Sequence, residues 1–166
     1  MDVLKQKRIT DGGNSYLSNC VNYAFKEKTE PDEELVETTG YGVSDIDPKL
    51  ANDQMYAVKE YYRKTGDNPV MHFIISYDQN VQDVNTACKY TKQITDYFSG
   101  NYQMITAVHR ENQGGSQYHA HIIMNSVNLN HEVIGVDEAE VFSMIVSLAV
   151  SSIISFRISL FRSSNL

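Results

Sequence analysis

The chain has 166 residues, of which 42% are hydrophobic and 10% aromatic, so it can bury a core and supports one domain. Its formal net charge of −7 argues against a simple electrostatic binder of nucleic acid, because neutralising phosphates needs Lys and Arg. The two cysteines show no CxxC spacing and the N-terminus lacks a signal-peptide pattern, so we expect a reducing compartment without a disulfide framework.

The acidic charge is concentrated in one segment. Residues 26–50 hold eight acids and three lysines, a local net charge of −5, whereas the rest of the chain is close to balanced. We expect this segment to be a connector with a short strand at 35–41. An acidic connector on one side of the domain can leave a neutral or basic groove elsewhere.

The chain begins with residues that predict a first strand at 1–10 and a Gly-rich turn. A helix follows, because its apolar residues recur at helical spacing. Tyr16 and Tyr23 are seven residues apart and lie together to one side of that apolar stripe. Either of them can therefore point away from the core.

The remaining pattern alternates helices and strands. It predicts a helix from Asp47 to Lys64, a strand at 70–77, a helix at 81–98, and strands at 102–109 and 118–127 joined by a connection that contains Gly114. This order favours an α+β fold with an antiparallel-rich sheet of about five strands. We expect the hairpin of the last two strands to be central and the helices to cover one face.

The C-terminal part differs in character. Residues 141–156 carry no charge and are rich in Ser, Ile and Val, but the stretch is shorter than the ~20 apolar residues that cross a bilayer. We expect a buried helix or strand packed on the domain, with membrane contact as the less favoured alternative. The sequence thus divides into a domain at 1–130 and an atypical tail at 131–166.

Three histidines fall on the predicted hairpin. His119 and His121 are two residues apart in a strand and therefore point to the same face. If the connection centres near Gly114, His109 lies opposite His119 and within side-chain reach. The sequence therefore predicts that three imidazoles converge on one face of the sheet.

Such a cluster suits a metal ion. Neutral imidazole is a good ligand for divalent transition metals, and three protein ligands leave coordination positions open, as in catalytic sites. The alternative is that some of these histidines are merely packed in the sheet, as a lone histidine usually is. An HxH pair with a third histidine across a Gly-Gly connection favours the metal site. A metal ion bound there, next to a phosphate, can act as a Lewis acid.

Three stretches carry a family resemblance. Residues 108–128, VHRENQGGSQYHAHIIMNSVN, resemble the HUH motif of the relaxases of mobilisable plasmids and conjugative transposons, with Asn125 at the end of the apolar run. Residues 72–77, HFIISY, look like the family's H-x-x-x-S-[FY] pattern on the preceding strand. Residues 17–29 resemble its first motif, a helical Tyr followed by Lys-Thr. The likeness spans roughly residues 1–130, with the motifs in the family's order.

The resemblance implies a mechanism. Tyr23 would attack the phosphodiester at the nick site of a transfer origin, giving a 5′-phosphotyrosine and a free 3′-hydroxyl. His109, His119 and His121 would hold Mn²⁺ or Mg²⁺ on that phosphate, and since Mg²⁺ prefers oxygen ligands, Mn²⁺ or another transition metal fits at least as well. Glu111 would orient a ligand histidine, unless it is a solvated loop acid.

Further residues are expected around this site. His72 would support a ligand histidine, unless it is a core histidine. Asn125 shares the face of the HxH pair and would help to support the site, unless it is a polar residue at a strand edge. Tyr16 is the alternative nucleophile, and Tyr23 is preferred because Lys-Thr follows it as in the family motif.

Other functions are compatible with parts of this pattern. Rolling-circle initiators and single-strand transposases share the histidine motif but carry the nucleophilic Tyr after it, and no Tyr follows Tyr118 here. A metal-dependent phosphodiesterase acting through bound hydroxide would leave no covalent adduct. A truncated, non-catalytic relaxase fragment would only bind single-stranded DNA, and the tail favours this reading because no likeness to the family is seen from about residue 131.

The resemblance also implies partners and a location. Single-stranded origin-of-transfer DNA would lie across the helix-free face of the sheet. An accessory origin-binding protein and a coupling protein would assist transfer. The bacterial cytoplasm is the expected compartment.

Overall fold

The computed structural model describes residues 13–26, 33–64, 70–111, 117–129 and 156–161 and the single positions 143 and 147, with backbone alone at 13–15 and 156–161. In chain order its elements are α1 (Gly13–Phe25), β1 (Glu33–Tyr41), α2 (Pro48–Tyr61), β2 (Val70–Tyr77), α3 (Val84–Asp96), β3 (Tyr102–Glu111), β4 (Tyr118–Asn128) and β5 (Phe156–Phe161). The strand predicted at 1–10 lies outside the described residues.

One antiparallel sheet organises the fold. Its strand order is β1-β3-β4-β2-β5, so the β3–β4 hairpin lies at its centre, as predicted. The α+β class is confirmed, and four of the predicted strands are β1 to β4. The fifth strand, β5, was not predicted as a strand of its own: it comes from the tail and pairs with β2.

Helices cover both faces of the sheet, which corrects the prediction of helices on one face only. α3 packs on the face that carries Phe73 and Ile122, whereas α1 and α2 pack on the face that carries Ile105 and Ile123. The reason is that β4 is buried along nearly all its length, and a strand with two apolar faces needs a cover on each. Among the described elements the sheet therefore has no helix-free face for DNA to cross.

Side-chain caps set the helix boundaries. The carboxylate of Asp47 accepts hydrogen bonds from the backbone N–H groups of Lys49 and Leu50, and Pro48 occupies the first turn. Asp83 caps α3 through the N–H of Thr86, so this helix begins later than predicted. α2 ends at Tyr61, before the predicted end at residue 64.

The tail is described only in part. Most of the apolar stretch at 141–156 lies outside the described residues, so its packing and the division at residue 130 remain predictions. Across the described part of the chain, no helix combines the length and apolarity needed to cross a bilayer.

Candidate active site

The sheet register brings the histidines together. His109 pairs with His119 across the β3–β4 ladder, as the hairpin predicted, and His121 projects from the same face two residues further on. The Nε2 atoms of His119 and His121 are 3.1 Å apart, and all three side chains are buried. Their ring centroids are 5.0 to 5.2 Å apart. The convergence of three imidazoles that the sequence predicted is present.

A carboxylate joins this cluster. Oε1 of Glu33 lies 3.1 Å from Nδ1 of His109 and 3.1 Å from Nε2 of His119. The β1–β3 register explains this position: Leu35 pairs with His109, and Glu33, two residues earlier in the same strand, shares its face. The acidic segment thus supplies a residue to the site.

These donors fit a divalent cation. One ligand atom each from Glu33, His119 and His121 lies within 4.8 Å of the others. His109 is not one of these three, but its Nε2 is 3.1 Å from the carbonyl oxygen of Ala24 and must carry a proton to donate to it. In the neutral ring, Nδ1 then presents a lone pair to the carboxylate oxygen of Glu33, and a cation between them would relieve that repulsion.

Two further residues contact the outer atoms of the cluster. Nε2 of His72 is 2.9 Å from Nδ1 of His121, and burial lowers the pKa of His72 to about 4, so its ring is neutral at pH 7. Glu111 places Oε1 3.0 Å from Nδ1 of His119. Burial acts to lower the pKa of His119, but hydrogen bonds and charge from Glu111 and Glu33 leave it raised overall.

A partly exposed tyrosine lies at the rim of the cluster. The ring centroid of Tyr23 is 5.1 Å from that of His121 and 6.3 Å from that of His72, and 41% of Tyr23 is exposed. The contact between Ala24 and His109 holds the last turn of α1 in this place. Tyr16, the alternative nucleophile, also lies on α1, about 10 Å from Tyr23 along the helix axis, and its side chain is buried in the core.

Asn125 lies further along β4 than the histidines. Its amide nitrogen donates to the carbonyl of Met55 and to Oε1 of Gln103, and its own oxygen accepts from the N–H of Val127. Its side chain is fully buried. These bonds tie β4 to α2 and β3, so Asn125 supports the scaffold around the site.

A sheet-borne set of imidazole and carboxylate donors beside an accessible tyrosine has the parts that metal-assisted phosphodiester chemistry needs. The sequence model of the MobA/VirD2-like relaxase family, nuclease domain, matches residues 23–142, and the chain belongs to this family. The match begins at Tyr23 and continues to residue 142, so the expectation that the likeness ends at about residue 130 is wrong. No curated protein and no solved structure gave a significant match. The chain is a relaxase nuclease domain, of the class that nicks origin-of-transfer DNA in mobilisation.

The sequence analysis missed Glu33. It is one of eight acids in a segment interpreted as a connector, and nothing in its immediate neighbours distinguishes it from the exposed Glu34. The available signal was its place at the start of a strand, on the same parity as Leu35. Using that signal required the β1–β3 register, which a bulge between Leu35 and Glu37 interrupts.

Proposed function

We propose that this domain cuts and rejoins one DNA strand at a transfer origin through a covalent 5′-phosphotyrosine on Tyr23. The observation that carries the proposal is the contact between the partly exposed Tyr23 ring and His121, one of the clustered donors. Single-stranded origin DNA is the substrate, and an accessory origin-binding protein and a coupling protein in the bacterial cytoplasm are the proposed partners.

The reaction exchanges one phosphodiester for another. The phenolic oxygen of Tyr23 forms a bond to phosphorus while the bond from phosphorus to the 3′-oxygen breaks. The phenol gives up its proton and the departing 3′-oxygen acquires one, which leaves a free 3′-hydroxyl. Because the phosphate stays esterified to the tyrosine, the same steps in reverse rejoin the strand without an outside source of energy.

Glu33, His109, His119 and His121 would hold the cation beside this phosphate. When bound, a divalent cation supplies Lewis-acid polarisation of a non-bridging phosphate oxygen. A donor set of imidazoles with one carboxylate suits Mn²⁺ or another transition metal better than Mg²⁺, which favours oxygen ligands.

His72 and Glu111 would act by positioning these ligands. For His121 to offer the lone pair of Nε2, its proton must sit on Nδ1 and be donated to Nε2 of His72, which the neutral state of His72 permits. Glu111 is placed to accept a hydrogen bond from the protonated Nδ1 of His119, so that the lone pair of Nε2 of that ring also faces the cation. Each contact fixes a tautomer and a ring orientation.

The end of the DNA that stays on the protein tests the proposal. Single-stranded oligonucleotides of randomised sequence, labelled at either the 3′ or the 5′ end, are incubated with the protein and Mn²⁺ and separated under denaturing conditions. We expect a covalent protein band with the 3′ label only, and its loss in Tyr23→Phe. Tyr16→Phe is the matched control and should keep the band.

The same gel decides between the alternatives. Cleavage that persists in Tyr23→Phe without an adduct would replace the proposal with hydrolysis by a metal-activated water. Binding without cleavage by the wild-type domain at every Mn²⁺ concentration, both on the pool and on the sequences enriched from it by tight binding, would mark it as a non-catalytic DNA-binding domain.

A further inference from the structure

A pair of aromatic side chains projects from the end of α2. Tyr61 is 78% exposed, and its ring stands edge-on to that of Tyr62, with centroids 4.9 Å apart and an interplanar angle of 83°. The hydroxyl of Tyr62 donates to the carbonyl of Leu129, at the end of β4. The ring of Tyr61 is therefore accessible to a ligand, and it packs against Tyr62, which is itself bonded to the end of β4.

The end of α2 is fixed to the sheet. Nζ of the buried Lys59 donates to Oγ of Ser126 at 2.6 Å, and the backbone N–H of Leu129 donates to the carbonyl of Asn101. Two links thus join α2 to the end of β4, and one joins that end to the turn before β3. A ligand that stacks on Tyr61 would meet a surface whose position is already set.

Two cations follow the aromatic pair directly. Arg63 and Lys64 are both exposed, in a chain whose net charge is −7, and the nearest acids along the chain, Glu60 and Asp67, are three residues away on either side. Arg63 has φ +54°, in the left-handed region where Gly is the usual residue after a helix. An Arg at this position gives up local stability, which points to a use for its side chain.

The position of this surface suits a strand that passes the cluster. α2 covers the sheet face that carries the histidines. Leu129 directly follows β4 and lies eight positions after His121, which at the rise of an extended strand is roughly 25 Å. A single strand with a phosphate at the cluster would need several nucleotides to reach Tyr61.

We propose that Tyr61, Tyr62, Arg63 and Lys64, here called the α2 platform, bind single-stranded DNA away from the cut. Tyr61 stacks on a base, and Arg63 and Lys64 contact phosphates, the combination that holds unpaired strands without reading their sequence. This inference rests on the proposed function for its substrate. It adds a second anchoring point that the histidine cluster does not supply.

Equilibrium binding of a fluorescent single-stranded oligonucleotide of randomised sequence tests the platform, with all variants made in Tyr23→Phe so that covalent capture does not contribute. We expect Tyr61→Ala to raise Kd at least about five-fold, since stacking on an aromatic ring is worth that much per base, and Tyr61→Phe to keep wild-type affinity. Tyr97→Ala is the control, because Tyr97 is 52% exposed beside Phe98 at the end of α3, which packs on the other sheet face.

Arg63→Gly separates binding from folding. Gly is the favoured residue at this backbone conformation, so we expect Tm to rise by about 2–4 °C while DNA binding weakens. The slope of log K against log salt should fall by about 0.7, the value for one phosphate contact on a single strand. A variant that is more stable and yet binds less tightly cannot be explained by misfolding.

The outcomes separate this inference from the proposed function. If the wild-type domain forms the covalent adduct but Tyr61→Ala binds DNA as tightly as Tyr97→Ala, the platform is refuted and the nicking proposal stands. If Tyr61→Ala weakens binding while no adduct ever forms, the platform stands and the nicking proposal fails. A change in self-association without a change in DNA affinity would reassign the surface to protein contact and overturn the inference.

Discussion

The burial of Lys59 predicts how much the stability of the fold changes with pH. Its side chain is almost completely buried, and burial lowers its pKa from 10.5 to about 8. Below pH 8 Lys59 is charged in both the folded and the unfolded state. In that pH range its burial therefore lowers the free energy of unfolding by about 3 kcal/mol. Because the folded protein releases this proton first, the unfolded state binds more protons between pH 8 and 10.5, and stability rises with pH across that window.

Lys59→Met removes this contribution. At pH 7 the variant loses the desolvation cost of about 3 kcal/mol but also loses the hydrogen bond from Lys59 to Ser126, which contributes roughly 1–3 kcal/mol, so it should be as stable as the wild type or more stable. The difference in unfolding free energy, variant minus wild type, should then fall by about 3 kcal/mol as the pH rises from 8 to 10.5.

Urea unfolding followed by circular dichroism at several pH values measures this difference. The subtraction removes shared contributions, such as those of Cys20 and Cys88, whose pKa values burial raises to about 11 and 12. Lys49→Met is the control, because Lys49 is exposed and its ion pair with Asp53 raises its pKa, so no slope is expected below pH 10. A difference for Lys59→Met that stays constant from pH 8 to 10.5 would refute the reasoning.

Three further predictions follow from single contacts. His72→Ala should weaken Mn²⁺ binding, measured by calorimetry, about 10- to 100-fold. His72→Gln keeps an acceptor for His121 and should recover part of that affinity. Equal Mn²⁺ affinities of the wild type and the two variants would contradict the positioning role. Gly40→Ala places a Cβ 2.2 Å from the carbonyl oxygen of Val43 and should cost at least about 2 kcal/mol of stability, while Gly100→Ala, which meets nothing within 4 Å, should change it by less than about 1 kcal/mol. Asp47→Ala removes the N-cap of α2 and should cost about 1 kcal/mol in the same urea assay, and no loss would show that the cap is dispensable.

The local parts of the fold could be predicted from sequence. The pairing of His109 with His119 follows from strand parity and a Gly-rich connection between neighbouring strands, and both are readable in a short stretch of chain. Caps such as Asp47 are equally local. These features depend on residues close together in the sequence, where periodicity and turn chemistry are informative.

The parts that were missed depend on distant pairings. Glu33 reaches the cluster only because β1 pairs with β3 in a register interrupted by a bulge. β5 joins β2 from far along the chain, and its short run gives no signal of where it pairs. That helices cover both sheet faces could be predicted in part, because the run at 70–77 does not alternate apolar and polar residues. The face on which α3 packs could be assigned only once the sheet order was known.

The central claim is that Tyr23 becomes covalently attached to DNA. Trypsin would release residues 9–26 as one peptide, which carries both Tyr16 and Tyr23. After reaction with single-stranded DNA and Mn²⁺ and digestion of the DNA, fragmentation of this peptide by mass spectrometry locates the attached nucleotide. We predict a 5′-phosphodiester on Tyr23, and attachment to Tyr16 or to no residue of an active enzyme would contradict the account.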